Sequence, residues 1–362
     1  MFVALRDIRF ARGRFALMGA VVALITMLVV FLYGLTGGLA AGSTSAVAGL
    51  PVPGIVFGAP AGAVPEVSFS DSGISPAQLA AWRSAPGVRS VEPLGVAMSR
   101  MTSAGAAASV SVLGTAARLL PPLLSGSAPG EGQVAVGRAT AAADGIAVGS
   151  TVTVGARTLL VSGITADRSY AHAPTVWTTE PTWQQLSGAA QPSVLAVSAG
   201  SADTAALDRA VGTDAVSRSA ALAGIDGYSA EQGSLQLIQG FLFAVSALVV
   251  GAFFTVWTVQ RRADIAVLKA LGASGGYLVR DALGQALVLL ALGTLGGAAA
   301  GLAGGALAGG GPAGGGGPPF ALTPATAAVP VLAMVGLGLA GAALAVRRIT
   351  SVDPLTALGA NR

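Results

Sequence analysis

From Ala282 to Val346 the chain carries no charged residue, a run of 65. Directly before it stands Gln260-Arg261-Arg262-Ala263-Asp264-Ile265-Ala266-Val267-Leu268-Lys269-Ala270-Leu271-Gly272-Ala273-Ser274. A soluble domain carries about 25% charged residues, whereas this chain of 362 carries 10% and is 53% hydrophobic. About 20 apolar residues cross a bilayer as a helix. The uncharged run therefore holds two spans, and the basic cluster is a loop between spans. This is the pattern of a polytopic α-helical membrane protein.

Four stretches are long enough to span: residues 15–40, 231–260, 282–308 and 325–346, charged only at Glu231. The last two are separated by a Gly/Pro loop, residues 309–324, which cannot sustain a helix. Lys and Arg concentrate in cytoplasmic loops near span ends. Eleven of the 20 basic residues lie in three short segments, 1–14, 261–281 and 347–362, beside four of the 16 acids. The segment 41–230 holds nine Arg and eleven acids, Glu231 follows it directly, and the Gly/Pro loop holds no charge. Both termini and the 261–281 loop are thus expected in the cytoplasm, with 41–230 as a domain outside. A basic start, an apolar core and small residues at Ala40-Ala41 also suit a cleaved signal peptide. The apolar run exceeds the usual core of about 7–15 residues, which favours a retained span. In residues 1–14, Phe2, Leu5 and Ile8 recur on one helical face and Arg6, Arg9 and Arg12 on another. That pattern fits a helix lying in the headgroup layer, or an ordinary basic flank.

Composition removes several chemistries. With no cysteine there is no disulfide, thiolate metal site or thiol nucleophile. The single histidine, His172, rules out a multi-histidine metal centre. The single lysine, Lys269, follows Leu268 and stands in no Gly-x-x-x-x-Gly-Lys frame. A phosphate-binding loop needs that lysine to reach the β- and γ-phosphates, so any ATPase must be a separate subunit.

The segment 41–230 reads α+β. Ser75-Pro76 is an N-cap with Pro at the first helical position, opening a helix through Ala85. Strands are expected at 108–113, 133–136, 151–154, 159–162, 175–178 and 194–198, and short helices at 139–144 and 204–211. Val154-Gly155-Ala156-Arg157 reads as a hairpin turn. Residues 41–65 are Gly/Pro/Ala-rich and expected to be extended. His172 lies near Tyr170 and Asp167 without a catalytic constellation, and reads as a loop histidine. Met98 and Met101 are soft donors for a metal or heme, although their spacing in an alternating stretch suits packing. In span three, Gly293, Gly297, Gly301 and Gly305 recur every four residues. Such a stripe lets helices approach closely, within one chain or between two copies.

The segment Arg261-Arg262-x-x-Ile265-Ala266-Val267-Leu268-Lys269-Ala270-Leu271-Gly272-Ala273-Ser274 resembles the signature loop of MacB/FtsX-type ABC transporter permeases. Three further stretches are similar to motifs of that family: Val88–Pro93, Gly145–Val152 and Val352–Leu358. The resemblance covers nearly the whole chain. It implies four spans, an extracytoplasmic MacB-like domain between helices one and two, the plasma membrane of a bacterium, and a homodimer bound to two ATPase subunits that hold the ATP and Mg. It also implies that the 261–281 loop couples hydrolysis to the membrane. Arg261, Arg262 and Lys269 supply charge there, Ile265, Leu268 and Leu271 supply apolar docking residues at helical spacing, and Gly272 permits a sharp return. The competing reading is a topogenic loop whose arginines bind lipid phosphates.

A narrower resemblance, to HrtB-type hemin-efflux permeases and DevC-like relatives, rests on Leu5–Arg9, Gly13–Leu17, Gly227–Leu235 and Phe253–Arg261. It implies a hydrophobic cargo, such as hemin, taken from the outer leaflet, with no cofactor in this chain itself. Glu231 is the last charge before span two, with Tyr228 one turn earlier and Gln232 beside it. These three are the candidate cargo residues. Ser229 and Gln232 also fit a capping box, and Glu231 would suit the positive end of the helix dipole. An FtsX-like signalling permease acting on a cell-wall enzyme, or a lipoprotein or peptide exporter, fits the same topology.

Overall fold

The computed structural model describes residues 12–59, 63–103, 106–260, 267, 272, 274–308 and 319–350. Its elements run α1 (Arg12–Ala48), β1 (Gly54–Gly58), α2 (Pro76–Ser84), β2 (Ser90–Ser103), β3 (Ala106–Thr115), β4 (Leu123–Gly126), β5 (Gln133–Gly137), α3 (Arg138–Ala143), β6 (Thr151–Val154) and β7 (Arg157–Thr165). Then follow β8 (Ser169–Tyr170), β9 (Ala173–Thr178), α4 (Glu180–Ser187), β10 (Val194–Ser198), α5 (Thr204–Val211), β11 (Thr213–Ser217), α6 (Arg218–Ala221), α7 (Tyr228–Gln260), α8 (Gly275–Ala308) and α9 (Pro324–Thr350). They form two units, a helical one and one inserted between α1 and α7.

Among the described residues, α1, α7, α8 and α9 are long and apolar enough to cross a membrane. At about 1.5 Å per residue, the 33 residues of α7 and the 37 of α1 exceed the roughly 30 Å of a hydrocarbon core. Both helices therefore run on beyond it. This is where the expectation of an extended segment fails: residues 41–48 continue α1. The last turns of α1 stay helical because Ala46 and Val47 bury in the core of the inserted unit, while Thr44 Oγ1 donates back to the Ala40 carbonyl.

The helical unit buries Val22 of α1, Val250 and Phe254 of α7, Leu290 of α8 and Met334 of α9 in one cluster. Thr36 Oγ1 accepts from Gln239 Nε2 at 2.9 Å and donates to the Leu32 carbonyl, a satisfied polar contact between α1 and α7. Leu237, Phe241, Val245 and Leu248 stay exposed on α7 at spacings of three and four. That is the stripe a hydrocarbon-facing helix presents.

The inserted unit is α+β. Its sheet runs β11-β1-β10-β2-β3-β9-β5-β7-β4, with β6 pairing both β2 and β7. The path β2, β3, β9, β5, β7, β6 and back to β2 is therefore a closed ring of six strands. Closure removes strand edges, and alternate residues point inward: Met101, Val112, Val134, Val154, Val161 and Val176, one from each strand, share one core. Met101 is thus a packing residue, whereas Met98 is exposed. In the rest of the sheet one face carries Val56, Leu195 and Val197 against Trp82 of α2. The opposite face carries Ile55, Phe57 and Ala196, in one cluster with Ala46, Val47 and Leu50.

Ser75 caps α2 as its sequence predicts, and Gln78 completes a capping box. Gly155-Ala156 turns between β6 and β7, Gly155 with φ +58°. The sequence reading missed β1, β2, β4, β8, β11, α4 and α6. In β1 four consecutive residues are buried, so no alternation marks it.

One packing feature has a large expected effect. Gly95 and Gly114 are register partners on β2 and β3, and Trp183 of α4 lies across both. A Cβ on Gly114 would stand 2.2 Å from Trp183 Cβ, and one on Gly95 2.3 Å from its ring. Gly114→Ala is expected to cost about 2–3 kcal/mol through overpacking. That corresponds to a melting point roughly 5–10 °C lower, read on the full chain in detergent. An unchanged melting point would mean that α4 does not pack on this pair.

Candidate functional site

Strands β8 and β9 pair Tyr170 with Ala173, leaving a two-residue loop, Ala171-His172. Both residues have positive φ, +48° and +61°. Two-residue hairpin loops of the mirror-image kind demand this and normally use Asn-Gly or Gly-Gly. An alanine and a histidine held there cost of order 1–3 kcal/mol each and persist only where their surroundings fix them.

The surroundings do so. The Ala171 N–H donates to the Ser43 carbonyl at 3.0 Å, and the His172 N–H to the Gly42 carbonyl at 3.1 Å. The Ser169 N–H donates to Ser45 Oγ at 2.8 Å. Tyr170 is buried beneath the turn, where desolvation first and the Asp226 carboxylate second push its phenol well above the usual range, so it remains neutral. The tip is therefore pinned to the final turns of α1.

From that tip His172 Nε2 donates to Glu231 Oε2 at 2.9 Å, across 59 residues of sequence. Both side chains are partly exposed, 46% for His172 and 28% for Glu231. Glu231 lies in the first turn of α7, which starts after Gly227 at φ +77°. Its N–H donates to the Gly227 carbonyl at 3.0 Å. The structure thus joins the sole histidine to the last acid before the second span. The sequence signal was slight: a histidine and an alanine where a tight hairpin wants Asn or Gly, in a hairpin too short to read.

The other two candidate cargo residues differ from each other. Tyr228 is half-buried against the core of the inserted unit. Gln232 is half-buried, and its Nε2 has no hydrogen-bond partner among the described residues. The capping box of Ser229 and Gln232 is absent. The helix starts two residues earlier than that reading needs, and the Ser229 hydroxyl donates to the Ala223 carbonyl at 3.1 Å.

The glycine stripe of α8 faces α1 of the same chain. A Cβ on Gly293 would stand 2.9 Å from Val22 Cγ1, one on Gly297 2.2 Å from the Ala23 carbonyl oxygen, and one on Gly301 2.9 Å from the Met27 carbonyl oxygen. Gly305 instead meets the ring of Phe320, which also covers Gly34. Of the coupling residues, Arg261, Arg262, Ile265, Leu268, Lys269 and Leu271 lie outside the described residues, as does the N-terminal segment 1–11. Gly272 is described: it is exposed, with φ +93°. Among the described residues no group of three or more His, Cys, Asp or Glu side chains could hold a metal ion.

Among the described residues, four helices long and apolar enough to cross a membrane carry an α+β unit between the first and the second. Residues 237–354 match the FtsX-like permease C-terminal family. Over 376 residues the chain is 26% identical to an uncharacterized ABC transporter permease of Mycobacterium tuberculosis (strain ATCC 25618 / H37Rv), covering 99% of both. Over 253 residues it is also 26% identical to a protein of Staphylococcus haemolyticus (strain JCSC1435) named as HrtB, a hemin transport system permease protein, covering 69% of this chain and 70% of that one. The inserted unit is similar to the periplasmic region of MacB from Actinobacillus actinomycetemcomitans, with a TM-score of 0.37 at 11% identity, over 50% of this chain and 96% of that one. Residues 237–354 thus carry an FtsX-like permease domain, and relatives matched over 99% of the chain are named ABC transporter permeases.

Proposed function

We propose that this permease exports a hydrophobic cargo, hemin being the first candidate, by coupling hydrolysis in a separate ATPase to movement of its helices. The chain acts as a homodimer bound to two ATPase subunits. Both termini and the 261–281 loop are cytoplasmic, and the inserted unit lies outside the plasma membrane. The ATP and Mg belong to the partner, and heme enters as cargo. Tyr228, Glu231 and Gln232 form the contact at the outer mouth of the second span. One observation carries the reading. Glu231 stands at the start of α7, partly exposed and tied to the only histidine, where a flat amphipathic acid in the outer leaflet would arrive. The likeness to a protein named for hemin transport supports the choice of cargo.

The test is a hemin titration of the purified permease in nanodiscs, followed at the Soret band. Native protein is expected to saturate, and Glu231→Ala to weaken binding at least tenfold. If neither binds, hemin is not the cargo, and signalling or lipoprotein or peptide export takes its place.

A further inference from the structure

His172 has no role in the site as read so far, yet the fold holds it there at a cost. Its residue and the alanine before it occupy left-handed backbone that neither type favours. Two main-chain hydrogen bonds to the carbonyls of Gly42 and Ser43 hold the turn in place. The ring is not presented as a free ligand. Nε2 is engaged by Glu231, and Nδ1 lies 3.4 Å from where a Cβ on Gly42 would stand. Nε2 makes the ring's hydrogen bond, and that bond is to the carboxylate.

We propose that His172 is the positioning residue of the Glu231 site. The Ala171-His172 turn, pinned to the last turns of α1, aims Nε2–H at one carboxylate oxygen of Glu231. That fixes the rotamer of Glu231 and leaves its other oxygen to meet cargo. One side-chain pair thereby ties the end of the first long helix to the first turn of the second, through the inserted unit. A glutamate in a helix's first turn otherwise swings freely, and holding a polar group in its productive geometry is what supporting hydrogen bonds contribute to a site. The inference rests on the reading of Glu231 as a cargo contact, and its test separates the two.

With one histidine in 362 residues, the permease labelled with 15N-histidine gives one imidazole spectrum. In nanodiscs without hemin, native protein is expected to show the proton on Nε2 with a hydrogen-bonded shift, and Glu231→Ala to shift it. An imidazole spectrum identical in the two proteins overturns the proposal. The second arm uses His172→Asn. Asparagine suits the left-handed turn better than histidine but is too short to reach Glu231. This variant is expected to melt no lower than native and to bind hemin at least tenfold more weakly. If it binds within twofold of native while Glu231→Ala does not bind, Glu231 acts unaided: positioning by His172 is refuted and the cargo reading stands. If native protein does not bind hemin at all, that reading alone falls, and the imidazole spectrum decides the positioning claim.

Discussion

Replacing Gly297 by valine is expected to abolish the folded helical unit. A Cβ at that position would stand 2.2 Å from the Ala23 carbonyl oxygen and 2.9 Å from Thr26 Cβ. The nearer atom is backbone, inside α1, and cannot rotate away. Valine adds two further methyl groups, so α1 and α8 must separate. Small residues permit close approach in a membrane because association there depends on packing, and the separation is felt along the whole stripe. Overpacking costs about 1–3 kcal/mol in a core that can adjust, and more in one that cannot. The expected result is a collapse in the yield of monodisperse, detergent-extracted protein. The control lies on the same helix: Gly296 and Gly304 have nothing within 4 Å of an added Cβ. Gly296→Val and Gly304→Val should extract and melt as native. If Gly297→Val behaves like them, the α1–α8 contact is wrong.

The stripe shows how far the sequence could be read. Spacing by four identified one face of α8 but not its partner, since Gly-x-x-x-Gly serves contacts within and between chains alike. Span positions were legible because an absence of charge over 20 residues has few physical meanings. The end of α1 was not. Residues 41–48 have the small-residue content of a linker, and they are helical because Ala46 and Val47 find a core supplied by strands far along the chain. The closed ring was hidden for the same reason. Five of its six strands were visible singly and β2 was not, and the closing contact of β6 with β2 pairs Val154 with Met101, a register that no local pattern encodes. Glu231 was singled out by being the last charge before a span. Its partner His172 passed as a loop residue because a hairpin with a two-residue strand leaves no periodicity to read.

Reversing the charges of Arg261, Arg262 and Lys269 to Glu is expected to uncouple the permease from its ATPase. A loop that transmits force needs charges to orient the partner and apolar side chains to hold it. Here Ile265, Leu268 and Leu271 fall at spacings of three beside the basic residues, a helical face that can seat in a groove. Gly272, at φ +93°, stands in the left-handed conformation that commonly stops a helix. The chain can therefore turn there, and α8 begins at Gly275. Close charge pairs across protein interfaces have coupling energies of about 1.5–7 kcal/mol. Three reversals should lower affinity for the ATPase at least 100-fold and abolish permease-stimulated hydrolysis. The substitution also removes three of the eleven basic residues that argue for the orientation, so lost coupling could reflect an inverted chain. Two measurements separate these causes. Single cysteines, introduced into a chain that has none, report the side of each loop by labelling in intact cells. A triple Gln variant removes charge without adding repulsion, and should retain orientation while losing most of the affinity. If the charge-reversed protein is correctly oriented, copurifies with its ATPase and still stimulates hydrolysis, the loop does not couple. Its arginines then serve the lipid phosphates, and the segment 1–14 becomes the coupling candidate.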